Sequence, residues 1–278
     1  MSFVRRFARN RGAVIGCLVL LAVSVVAALA PVMYPQSPWR LVGRPFLAPF
    51  ALDRFPLGTD ALGRDVMAGL MHGARVSLLI GLVSTAVALL IGVPLGALAG
   101  YAGGLVDDAL MRFTEFFQTI PSFALAIVIV AILQPSIASI VLAIAIVSWP
   151  PIARLVRGEV LSLRSREYVQ AAITLGQTTP RILLLQVLPN TLAPIIVMAS
   201  LMVASAILLE SSLSFLGLGD PSLMTWGYMI GAGRTRLIEA WWISFFPGVA
   251  IFLTVLALNL VGEGLNDALN PRLARERD

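Results

Sequence analysis

Residues 154–190 read RLVRGEVLSLRSREYVQAAITLGQTTPRILLLQVLPN, a polar interruption between two apolar runs of membrane grade. Tyr168, Ala171, Ala172 and Leu175 fall at i, i+3, i+4 and i+7, the spacing of one helical face, and that face is narrow. Gly176 then ends the helix. Thr179 is placed to cap a second one, and Pro180 suits its first position, where the missing N–H has no helical partner to lose. The stretch therefore predicts a short helix, a tight turn and a second helix leading back into a bilayer. Arg154, Arg157, Arg164, Arg166 and Arg181 assign it to the cytoplasmic side, where cationic residues accumulate.

Composition agrees with a lipid setting. Of 278 residues, 58% are hydrophobic and 13% charged, against about 25% charged in a soluble domain, and mean hydropathy is +0.90. All 20 basic residues are arginine, spread over bilayer flanks and polar loops, so the high pI does not indicate a nucleic-acid partner. No lysine occurs, and a standard Walker A loop needs one to hold nucleotide phosphates. The chain is therefore not expected to be an enzyme that hydrolyses ATP by itself, and no cofactor site is expected in it. With one cysteine, Cys17, and one histidine, His72, neither a disulfide framework nor a Cys/His metal centre can form within the chain.

Along the chain, Arg5, Arg6, Arg9 and Arg11 precede the uncharged run Ala13–Met33, which exceeds the roughly 20 residues a span needs. It is also longer than the core of a secretory signal, and Pro31 would follow a cut at Ala28-Leu29-Ala30, so this helix is expected to stay as an anchor. Residues 34–74 are rich in Pro, Arg and Asp and are read as extracytoplasmic. Within them Pro56–Asp65 is dense in turn formers, with Thr59 or Asp60 placed as a helix cap. Its alternating Asp and Arg residues predict a short capped helix that pairs its own charges along the outer surface.

Val76–Leu98 is the second span. Phe123–Leu133 is too short to cross alone, so the third must recruit the semi-polar stretch holding Glu115, Gln118 and Pro121, whose polar groups must face protein or water. Arg112 and Glu115 are spaced to pair on one helical face, and Glu115 either lines a passage or merely satisfies Arg112. Ile137–Ile152 is the fourth span, with Trp149-Pro150-Pro151 at its inner end. Thr191–Leu209 is the fifth, closed by Glu210 among Ser211, Ser212 and Ser214. Glu210 is expected to face the bundle, either as a structural carboxylate or, with Ser214, as part of an outer gate. Trp241 and Trp242 suit the outer interface, and Ile243–Val261 is the sixth span. Thirteen arginines then fall inside and seven outside. That balance keeps both termini cytoplasmic, although Arg40, Arg44, Arg54, Arg64 and Arg75 run against the bias.

The run Glu167-Tyr168-Val169-Gln170-Ala171-Ala172, then Gly176, then Val187-Leu188-Pro189-Asn190 resembles the EAA loop of ABC-importer permeases, whose short helix seats in a groove of the ATPase. Gln170 stands where the motif has Glu, and Gln186 where a His often precedes Leu-Pro. Pro56–Asp65, with Gly58, Thr59, Asp60, Gly63, Arg64 and Asp65, and the following Gly73-Ala74-Arg75-Val76-Ser77-Leu78 resemble the GTD-x-x-GRD and GAR-x-SL signatures of dipeptide, oligopeptide and nickel permeases of the DppC/OppC type. Phe55 stands where that family often has His or Trp. Residues 210–219 are similar to the family's E-x-x-LSFLGLG run. Residues 259–272 are similar to its closing N-L-x-GD-x-LRD-x-LDPR, with Glu263, Asn266 and Asn270 as departures.

The resemblance implies an all-α integral membrane protein with six transmembrane helices and the type I ABC-importer permease fold. An anchor segment would cover residues 1–74, a five-helix core 75–267 with the coupling loop at 154–190, and a cytoplasmic tail 268–278. Glu167, Tyr168, Gln170, Ala171, Ala172, Gly176, Leu188 and Pro189 would be the ATPase-coupling residues. The implied partners are a second, DppB/OppB-like permease chain, two ABC ATPase subunits or domains that bring ATP and Mg, and an extracytoplasmic substrate-binding protein. The setting would be a bacterial inner membrane.

The expected function is half of a translocation path for di- or oligopeptides, with nickel or a metallophore as alternative cargo on the same scaffold. Two other classes are weighed against it. An intramembrane hydrolase needs converging acid, base or nucleophile groups, and the spans hold only Glu115 and Glu210 with no histidine beside them. A proton-coupled secondary transporter would be marked by several intramembrane carboxylates and an internal repeat, and no such repeat is evident.

Overall fold

The structure, a computed structural model, describes residues 3–269. The expectations placed on Asn270, Pro271, Arg272, Arg275 and Arg277 lie outside the described residues. The described residues form helices α1 (Phe3–Arg9), α2 (Arg11–Met33), α3 (Val66–Ala102), α4 (Gly104–Thr119), α5 (Ser122–Leu133), α6 (Ile137–Arg164), α7 (Glu167–Thr174), α8 (Thr179–Ile182), α9 (Leu188–Phe215), α10 (Trp226–Gly233) and α11 (Trp242–Leu269). A π turn over Leu183–Val187 joins α8 to α9. Five helical runs are long and apolar enough to cross a membrane, namely α2, α3, α6, α8 through α9, and α11. The pair α4 and α5 passes the same test together across a bend of 84°, and taken as one crossing it is a sixth, broken span.

The spans outrun their apolar stretches because packing, not hydropathy alone, sets where they end. Helix α3 starts at Val66 and not at Val76, since the Asp65 carboxylate accepts the Met67 N–H and caps it. The cap is therefore Asp65, neither Thr59 nor Asp60. Helix α6 does not stop at Trp149-Pro150-Pro151 but continues to Arg164. Its inner half is held by α3, where Gly92, Gly96 and Gly100 recur every fourth residue. A Cβ at Gly92 would lie 2.8 Å from the Trp149 carbonyl oxygen, one at Gly96 would strike the Ala153 carbonyl oxygen, and one at Gly100 would lie 2.7 Å from the Arg157 carbonyl oxygen. The two backbones thus touch directly over two helical turns, the small-residue packing that joins helices in lipid.

The third span breaks at Ile120–Pro121, where Ile120 is extended and Pro121 sits before α5. Phe113 and Phe117 of α4 bring their rings to 5.8 and 5.4 Å from that of Trp149. This is why Trp149 is buried in the bundle. Beyond the break, Ala126 and Val130 of α5 share a core with Ile140, Ala143 and Ile144 of α6. The anchor helix α2 is capped by Asn10, whose side-chain amide also donates to Asp267 of α11 at 3.2 Å. Of the tryptophan pair, Trp241 is exposed, whereas Trp242 is buried.

Candidate functional site

The loop from α6 to α9 is short-range in construction and open on one side. Helix α7 has only eight residues, too few to persist alone, so it depends on what it buries. Val169 and Ala172 are buried in one core with Val156 and Val160 of α6, Ile182 of α8 and Val187 of the π turn. Tyr168 and Leu175 remain 43% and 79% exposed, and Glu167, Gln170 and Ala171 are exposed beside them. The expected four-residue face is therefore split. Tyr168, Ala171 and Leu175 point outward, while Ala172, on the border of that face, turns inward to anchor the helix.

Gly176 ends α7 at a φ of +75°, with its N–H donating to the Ile173 carbonyl. Thr178, not Thr179, occupies the N-cap position of α8, and no side-chain capping bond forms there. The two glutamine departures both hold the loop together. The Gln170 amide donates to the Arg164 carbonyl at 2.9 Å, folding α7 onto the end of α6, a bond an ionised Glu could not make. Gln186 donates to Gln177 Oε1 at 2.8 Å across the turn. Leu188 packs against the inner core, and Pro189 is exposed at the start of α9.

Of the candidate pathway residues, Glu210 lies fully buried in the bundle. The Ser214 hydroxyl donates to its Oε1 at 2.7 Å, and Ser211 reaches Oε2 at 3.4 Å. Ser212 turns away and bonds the Leu208 carbonyl. Glu115 does not meet Arg112: both are exposed on α4, and the ion pairs among the described residues are Arg64–Asp60, Arg157–Asp107 and Arg236–Glu239. The Asp107–Arg157 pair joins α4 to α6 across 50 residues of sequence, and nothing in the sequence pairs them. The repeat Gly92-Gly96-Gly100, by contrast, was a readable signal of close helix packing.

The outer signature residues are not a surface helix. Residues 56–65 form consecutive turns, because Gly58 and Gly63 both take positive φ and a helix cannot continue through that region. Thr59 is fully buried, with its hydroxyl donating to the Arg44 carbonyl at 2.6 Å and accepting the Leu47 N–H at 3.0 Å. Asp60 accepts the backbone N–H of Leu62 and of Arg64 and, at 2.5 Å, the Arg64 Nε–H. Arg64 is only 5% exposed and lies 5.0 Å from the centre of the Trp39 ring. Trp242 donates from its ring N–H to the Thr59 carbonyl, tying this knot to α11, and His72 bonds the Tyr34 carbonyl, tying the end of α2 to α3.

Residues 92–275 match the model of the family described as binding-protein-dependent transport system inner membrane component. Residues 2–62 match the N-terminal transmembrane domain of oligopeptide transport permease C. The chain is 44% identical to the di/tripeptide transport system permease protein DppC of Pseudomonas aeruginosa, over 98% of this chain and 92% of that protein. It is 40% identical to the dipeptide permease DppC of Bacillus subtilis, over 98% and 85% of the respective chains. Its fold is similar to that of a chain in an inward-facing structure of the MetNI methionine ABC transporter, with a TM-score of 0.63 at 16% identity, covering 74% of this chain and 98% of that one. A bundle with at least five helices long and apolar enough to cross a membrane and matches along nearly the whole chain converge: the protein belongs to the family of binding-protein-dependent transport system inner membrane components.

Proposed function

We propose that this chain is one of two permease subunits of an ATP-driven peptide importer and that α7 is the element its ATPase moves. The observation that carries the reading is the division of α7. One side is buried in the permease's own core, and the other leaves Tyr168, Ala171 and Leu175 exposed. An apolar strip on a firmly seated short helix suits insertion into a protein groove. The names of the similar permeases, for di- and tripeptides in one and dipeptides in another, support peptides as cargo.

The remaining parts are assigned by the chemistry this chain lacks. With no lysine it has no standard phosphate-binding loop, so ATP and Mg belong to two ATPase partners. A second permease chain completes the path, and an extracytoplasmic binding protein delivers the peptide. ATP binding need only favour one packing of the two permeases over the other to shift the population between inward and outward access. Movement at α7 enters α6 through Val169 and Ala172, and α3 follows because its backbone is in contact with α6.

Leu175→Glu places a charge on the uncovered strip without touching the buried side. The variant is expected to insert normally, to lose co-purification with the ATPases and to lose uptake of radiolabelled dialanine. Wild-type uptake with wild-type ATPase association in Leu175→Glu would remove α7 from this role.

A further inference from the structure

We propose that Asp107 and Arg157 are positioning residues that make the broken third span follow α6, so that movement entering at α7 reaches α4 and α5. The proposal rests on the reading of α7 as the coupling helix. Arg157 Nε lies 2.5 Å from Asp107 Oδ1 and Nη2 lies 2.6 Å from Oδ2, a two-pronged pair with Asp107 only 7% exposed. Two parallel bonds fix orientation as well as distance, which a single bond does not.

The two ends of this pair differ in how they are otherwise held. Arg157 stands on the part of α6 whose backbone meets Gly100 of α3, one turn before Val160, which shares a core with Val169 and Ala172 of α7. Its guanidinium is thus carried by the same rigid unit that holds the coupling helix. Helix α4, by contrast, enters through Gly103 and Gly104, both at positive φ, and has no side-chain cap. That joint by itself sets no direction for α4. The carboxylate–guanidinium fork fixes its inner end, and the contacts of Phe113 and Phe117 with Trp149 fix it again just before the 84° break. With both attachments α4 must move with α6; with the fork cut, it can pivot on the aromatic contact.

Cys17 is the sole native cysteine, so in a Cys17→Ser background spin labels can be placed at Leu105 on α4 and Leu161 on α6, both exposed. Distances are measured in the assembled complex with and without ATP and vanadate, alongside dialanine uptake per ATP hydrolysed. The native pair is expected to give one narrow distance in both states. Asp107→Asn and Arg157→Gln are expected to broaden it, with uptake per ATP falling about tenfold. Arg157→Lys, which keeps the charge but not the fork, should fall about threefold. Exchange of the charges, Asp107→Arg with Arg157→Asp, is expected to recover most of the ratio.

Unchanged distance widths in Asp107→Asn and Arg157→Gln overturn the proposal. So does a uniform loss of assembled complex with the ratio intact, which is what a purely structural pair would give. If the single variants do not assemble, Arg157→Lys and the exchanged pair carry the same two readouts. Leu175→Glu run in parallel separates the readings: normal ATPase association there refutes the role of α7, whereas a broadened distance in Asp107→Asn is independent of it.

Discussion

The outer segment before α3 and the inner loop between α6 and α9 are built from similar material and finished in opposite ways. Each is polar, each turns at glycines with positive φ, and each contains charged residues at close spacing. In the outer segment the charges close on one another, with Arg64 buried between the Asp60 carboxylate and the ring of Trp39. In the inner loop Glu167 and the apolar strip of α7 are left open. A region that has satisfied its own groups has little left to offer a moving partner, and one that has not is fit to be gripped.

Cutting the outer knot should give the largest effect. Asp60→Ala leaves the Arg64 guanidinium buried without its carboxylate, a change of about 3–5 kcal/mol, and the thermal midpoint of the purified protein should fall accordingly. Glu167→Ala, at an exposed position of the inner loop, should stay within about 0.5 kcal/mol. A midpoint in Asp60→Ala equal to that of Glu167→Ala would erase the contrast.

Inside the inner loop the same contrast recurs between adjacent residues. Ala172→Glu forces a carboxylate into the core of Val160, Val169 and Ile182, and should destabilise the protein by about 3 kcal/mol. Ala171→Glu, one residue away and exposed, should leave the midpoint unchanged and abolish ATPase association. If Ala172→Glu unfolded no earlier than Ala171→Glu, the inward placement of Ala172 would be wrong.

The split of α7 shows where sequence reading stops. The spacing of Tyr168, Ala171, Ala172 and Leu175 and the stop at Gly176 locate the helix, but a two-turn periodicity places Ala172 on the boundary of two faces, and only the neighbours Val156, Val160 and Ile182 decide which. Spans were legible as apolar runs, yet their ends were not, because the contact of α6 with Gly92, Gly96 and Gly100 carries that helix past two prolines. The Asp and Arg residues of the outer segment announced local pairing. They did not announce Trp39 within the same segment, nor Tyr228 and Trp242, which approach from far along the chain. Arg157 reads only as a marker of the inner side, nothing in the sequence ties it to Asp107, and the fold alone makes them a pair.

Two glycines with nearly the same φ measure the difference between the regions more finely. Gly63 and Gly176 have φ values of +78° and +75°. A Cβ at Gly63 would strike the Gly43 carbonyl, while one at Gly176 would meet nothing within 4 Å. Gly176→Ala should therefore show the conformational cost alone, about 1 kcal/mol. Gly63→Ala should show that cost plus displacement of a backbone, about 2–3 kcal/mol. Equal midpoints for the two variants would mean that the outer segment yields as readily as the inner loop.

A smaller effect than that of Gly63 belongs to Asp220, in the segment after α9, which is neither sealed nor open. Its carboxylate accepts from the Ser222 N–H at 2.9 Å, the Ser222 hydroxyl at 2.6 Å and the Ile137 N–H at 3.1 Å, and so holds the start of α6 to the segment after α9. Burial alone would raise its pKa, but these donors outweigh it and hold the group below the usual carboxylate value. A depressed folded pKa means that the stabilisation is complete above the unfolded value of about 3.9 and is lost as the pH falls through the folded value. Asp65 slopes the other way. Burial there outweighs the Met67 and Ala68 amides and Arg54, so its carboxyl is raised, and ionising it lowers stability as the pH climbs past the ordinary carboxylate range. Midpoints of Asp220→Asn and the native protein should differ by less than about 1 kcal/mol near neutrality and converge on acidification below the ordinary carboxylate range, while those of Asp65→Asn and the native protein should diverge as the pH rises from that range. A difference for Asp220→Asn that stayed constant through the carboxylate range would show that its bonds to Ser222 and Ile137 do not depend on charge, and would detach the start of α6 from the ionised state of this residue.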